Sequence, residues 1–129
     1  MDGMELKLAH LHYLDGNLYE AIRCLNKSAD RYFATDLGLD KDPFWKTLAK
    51  HVYLAVILND FHKGNEVKNS SLIERFSNLD TVKNDIKEFC EQFANSNSIT
   101  FIPYLEKSTD NMLSSAMGII VEGIKKYIL

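Results

Sequence analysis

A chain of 129 residues suits one domain with a hydrophobic core of its own. Hydrophobic residues make up 46%, charged residues 26%, and the net charge is -3, which excludes wholesale disorder and a broad basic surface for nucleic acid. With 2 prolines and 6 glycines, long helices can run uninterrupted.

Helical periodicity runs through the whole sequence. The first helix is expected over Met4–Leu14, with Leu8, Leu11 and Leu14 as its apolar positions. Asp15-Gly16-Asn17 breaks it. Asn17 has the chemistry of an N-cap, and Glu20 follows at capping-box spacing. The second helix carries Leu18, Ile22, Leu25, Ala29, Tyr32 and Phe33 and is expected to stop near Leu37-Gly38. Asp42-Pro43 reads as N-cap and first-turn proline of a third helix, Pro43 to about Phe61, with Phe44, Leu48, Val52, Ala55 and Leu58 on its stripe. His62 to Ser71 is a polar loop, Leu72 to Leu79 a short helix, and Asp80 the expected N-cap of a helix over Thr81–Ala94. ITFIPYL, Ile99–Leu105, reads as a short helix or connector, because Pro103 cannot donate to a sheet. The last helix starts after Ser108 or Thr109 and runs nearly to Leu129. Its stripe is Leu113, Met117, Ile120, Ile124 and Ile128, with Ile119, Val121 and Tyr127 off that stripe.

These elements make an all-α, single-domain bundle of roughly six or seven helices. The sequence begins MDGMELK with no export-type apolar run, and its longest apolar stretch, Val52–Leu58, is too short to cross a bilayer. A cytoplasmic location without membrane insertion is therefore expected.

Chemistry-bearing patterns are sparse. His10 and His12 stand about 200° apart on one helix and cannot easily share a metal. His51 has no acid or thiol one turn away, and no HExxH, GxSxG, P-loop or GxGxxG is present. Cys24 and Cys90 lie on apolar stripes, as buried reduced thiols do. Glu20, Asp30 and Asp36 read as a solvated face, and Glu88 and Glu91 with Lys83 and Lys87 as a salt-bridge-laced one. No catalytic residue, cofactor or metal is expected.

The stretch LHYLDGNLYEAIRCLNKSA resembles a tetratricopeptide-repeat hairpin. Leu8 and Ala9, Gly16 in the turn, then Glu20, Ala21, Ile22, Leu25 and Ser28 carry the resemblance, which spans residues 6–33. It implies two closely packed antiparallel helices at the start of the fold and a role in holding a protein partner. Glu5, His12 and Phe33 depart from the repeat pattern, and a shift of about 34 residues finds no second copy. The same turn is similar to the microtubule-interacting-and-trafficking domain. NLYEAI and KSADRYF are similar to a helix of HEPN domains, which implies a nucleotidyltransferase partner or RNA binding. No arginine here precedes a histidine at the spacing of the ribonuclease form.

The functional expectation is a non-enzymatic protein–protein interaction or adaptor module that binds another protein or itself through apolar helix faces. The expected contact residues are Tyr32, Phe44 and Trp45, or Met117, Ile120, Ile124 and Ile128. The alternatives are the HEPN-like reading and a helical protein of viral or host-interaction type; nucleic acid is the less favoured partner.

Overall fold

The computed structural model describes residues 4–34 and 43–128, and every regular element among them is helical. They are α1 (Met4–Leu14), α2 (Leu18–Ala29) continued by a π turn (Asp30–Ala34), α3 (Pro43–His62), a 3₁₀ turn (Asn69–Ser71), α4 (Leu72–Arg75), α5 (Leu79–Gln92), α6 (Ile102–Glu106) and α7 (Asp110–Ile128). The expected all-α bundle is the observed architecture.

The chain folds around α3. From Val52 to Phe61 this helix is buried on every side, because α2, α5, α6 and α7 all pack against it. A single apolar cluster joins Leu25, Phe33, Tyr53, Phe76, Phe89 and Ile120. Rings interlock within it: Phe33 meets Tyr53 edge-on at 5.3 Å, and Phe89 stacks on Phe101 at 5.8 Å. The buried Tyr53 hydroxyl is satisfied by Ser28 Oγ at 2.5 Å, and burial pushes its phenol well above the usual range.

Local signals set most boundaries. α1 and α3 end in the same way, with a glycine of positive φ, Gly16 at +79° and Gly64 at +80°. The next amide then reaches back to the preceding helix: Asn17 N–H donates to His12 O and Asn65 N–H to Asp60 O, both at 2.8 Å. Asn17 caps α2 as expected, its Oδ1 accepting from Glu20 N–H at 3.2 Å. The capping box is only half made, since Glu20 turns outward to Arg23 at 2.9 Å. α5 begins earlier than expected: Asn78, not Asp80, is its N-cap and accepts from Thr81 N–H at 3.0 Å. The short helix before it spans only Leu72–Arg75. The expected stop at Leu37-Gly38 and the expected cap Asp42 lie outside the described residues.

The π turn after α2 places both Tyr32 and Phe33 in the core. Gly123 of α7 crosses that turn at backbone contact. A Cβ at Gly123 would lie 2.5 Å from the Tyr32 carbonyl oxygen and 2.8 Å from Phe33 Cα. Only glycine permits this crossing, which joins the two ends of the fold.

One expectation about α1 is corrected. Leu6 and Ala9, not Leu8, Leu11 and Leu14, are its buried positions. Ala9 is fully buried where α1 packs on α2, and Ala21 of α2 is fully buried as well. Small side chains on both helices let the backbones approach, which selects that side of α1 as the packed one.

Candidate functional site

The outer face of α1 leaves four large apolar side chains open to solvent. Met4, Leu8, Leu11 and Leu14 are 56%, 40%, 58% and 66% exposed. They recur at helical spacing, so they form one stripe rather than scattered residues. Tyr19, at the start of α2, is 67% exposed beside it. The helix beneath is held firmly. His10 stacks on Phe61 at 4.4 Å, Tyr13 OH hydrogen-bonds His62 Nδ1 at 3.0 Å, and Glu5 pairs with Arg31 at 2.6 Å. Burial raises the Tyr13 phenol above its ordinary value. The stripe is thus presented on a fixed element.

A second feature is ionic and internal. Arg75 donates through Nε and Nη2 to Asp60 Oδ2 at 2.9 and 2.8 Å, and through Nη2 to Asp85 Oδ2 at 2.8 Å. Asn59 Nδ2 donates to Asp85 Oδ1 and Glu88 Oε1, both at 3.0 Å, and Lys63 reaches Glu88 at 3.2 Å. Asn59, Asp60 and Asp85 are buried. Desolvation opposes the charge on Arg75, but the bonds to Asp60 and Asp85 outweigh it and raise its pKa. Asn59 and Lys63 hold the Glu88 carboxyl below its usual range. These acids are bound to cations and donors, so the cluster locks α3, α4 and α5 together and offers no free general base. The Asn59 Oδ1 atom is buried without a partner. The adjoining hollow, about 190 Å³, is lined by Asp60, Asn65, Glu66, Val67, Ser71 and Arg75.

The remaining reactive groups are subdued. His51 stacks on Phe101 at 4.5 Å; its burial, with the charge of Lys50, pushes its pKa down to about 4. Cys90 borders a hollow of about 550 Å³ between α5, α6 and α7. Burial, with Glu106 and Glu91 nearby, raises its thiol to about 11, so it is no ready nucleophile. Cys24 and Cys90 are both unpaired thiols. The described residues contain no His, Cys, Asp and Glu group able to hold a metal ion, and none of their helices is long and apolar enough to cross a membrane.

The expected contact residues separate in space. Tyr32 is buried, donates through its hydroxyl to Asn69 Oδ1 at 2.8 Å, and meets Tyr127 edge-on at 5.0 Å. Met117, Ile120 and Ile124 are buried on the inner side of α7. These four residues pack the core, so the free chain has no surface there to give a partner. Phe44 is 48% exposed and sits edge-on to the half-buried Trp45 at 5.0 Å. The side chain of Ile128 lies outside the described residues. The expected salt-bridge face on α5 is also redrawn: Glu88 pairs with Lys63, just past the end of α3, and Lys83 with Asp110 of α7 at 3.0 Å.

Sequence reasoning missed the Asp60–Arg75–Asp85 lock, and it found Leu8, Leu11 and Leu14 as the apolar face of α1 without seeing that this face stays open. The lock had a signal, an Asn-Asp pair inside the apolar run of α3. The openness of that face also had one: α1 carries apolar residues on both sides, more than one neighbour can cover. Comparison of the chain with protein-family models, curated proteins and solved structures found no match.

Proposed function

We propose that this chain is a non-enzymatic protein–protein interaction module whose contact surface is the outer face of α1. The observation that carries the reading is the exposed stripe Met4, Leu8, Leu11 and Leu14 on a helix whose opposite side is packed. A helix that shows apolar anchors at such spacing suits docking against another helix or into a groove. Leaving such a stripe in water is unfavourable, and a partner that covers it gains the burial of its leucines. The subdued Cys90 and His51 and the bound acids around Arg75 support a scaffold rather than a reaction centre.

The test places a photo-crosslinking amino acid at Leu11 in cells, with exposed Asn95 as the control position. Adducts at Leu11, identified by mass spectrometry and absent at Asn95, are expected. Equal labelling at both positions, or none at Leu11, removes the reading.

A further inference from the structure

Resting on the reading of α1 as a contact surface, we infer that its occupant is a second copy of this chain, paired antiparallel with Leu11 at the two-fold axis. The arrangement of charge along the stripe carries this. Lys7 and Asp15 are both exposed, and each stands four residues from Leu11. That is about 6 Å along the helix axis on either side. In an antiparallel pair, Lys7 of one protomer stands level with the partner's Asp15, and symmetry repeats the match at the other end. Leu8 stands level with the partner's Leu14 by the same relation. A parallel pair would set Lys7 beside Lys7 and Asp15 beside Asp15, so the pattern also selects the direction.

Neither charge is engaged elsewhere. Lys7 and Asp15 have no ion-pair partner among the described residues, whereas Glu5, on the packed side, is bound to Arg31. By helical rotation Lys7 and Asp15 stand about 40° to either side of Leu11, within the stripe, so the seam has Leu11 at its centre flanked by one unpaired charge of each sign. A surface that is its own complement is what a two-fold interface requires.

Sedimentation equilibrium on the purified chain tests this, with circular dichroism to confirm that each variant is folded. Wild type is expected to be a reversible dimer. Lys7→Glu and Asp15→Lys should each weaken it about tenfold, because each places like charges together twice. Mixed in equal amounts, the two variants restore both matches, so the heterodimer should form more tightly than either homodimer. Leu11→Glu should weaken the dimer more than about a hundredfold. A wild-type monomer at millimolar concentration overturns the inference, as does a dimer indifferent to Leu11→Glu or a mixture no tighter than its components. The outcomes also separate this inference from the reading beneath it. A monomer whose Leu11 crosslinks to a different protein overturns self-pairing and leaves the interaction module standing. A monomer with no adduct, or one that instead floats with phosphatidylcholine vesicles, overturns both.

Discussion

α1 and α3 are both apolar on more than one side, yet they meet opposite fates. α3 has α2, α5, α6 and α7 around it, and its residues from Val52 to Phe61 are buried. α1 packs chiefly on α2, and its second apolar side faces water. The difference is one of position in the bundle and not of composition. A helix needs neighbours on each apolar side to bury it, and an edge helix has them on one. Surplus hydrophobicity at the centre becomes core, and the same surplus at the edge becomes an open surface.

Substitutions in the two regions should therefore separate stability from association. The largest loss of stability is expected for Arg75→Leu, which strands Asp60 and Asp85 without their shared cation. It should cost about 3 kcal/mol in urea unfolding. Gly123→Ala comes next, at about 2 kcal/mol, because the new methyl meets the Tyr32–Phe33 backbone and cannot be accommodated by a side-chain rotation. Neither change touches the α1 stripe.

A pH-graded effect follows from His51. Its ordinary pKa of 6.5 falls to about 4 in the fold, chiefly through burial against Phe101. Between those values the unfolded chain binds a proton that the folded chain refuses. Stability should thus decline as pH drops through 6.5 and level off below about 4. His51→Gln should flatten this part of the urea midpoint-versus-pH curve.

The smallest effect on stability is expected at α1. Leu11→Ala, in dilute chain, should shift unfolding by no more than about 0.5 kcal/mol. A loss there as large as that of Gly123→Ala would mean that Leu11 belongs to the core after all.

Much of the fold was legible in the sequence. α1 occupies its expected span, Asn17 caps α2, the short helix Ile102–Glu106 begins within the ITFIPYL stretch, and α7 starts just after Thr109. Thr109 accepts through Oγ1 from Met112 N–H at 3.2 Å. These signals are local, so they act the same in any surrounding. The site was less legible. The stripe Met117, Ile120 and Ile124 was read correctly as one apolar face, but whether that face meets α3 or a partner depends on chain segments far away in sequence. Leu8, Leu11 and Leu14 were likewise read as one face, and the opposite side of the helix won the packing. That side carries Leu6 and the small Ala9, both buried.

The sequence by itself determined that the chain is helical, where most helices begin and end, and which residues are apolar. These follow from propensity, caps and periodicity within a few residues of each position. The tertiary structure alone decided which apolar face is covered, which charges are joined, as Arg75 is to Asp60 and Asp85, and where Gly123 must stay bare. Those outcomes depend on distances between residues that are remote along the chain, and only packing brings them together.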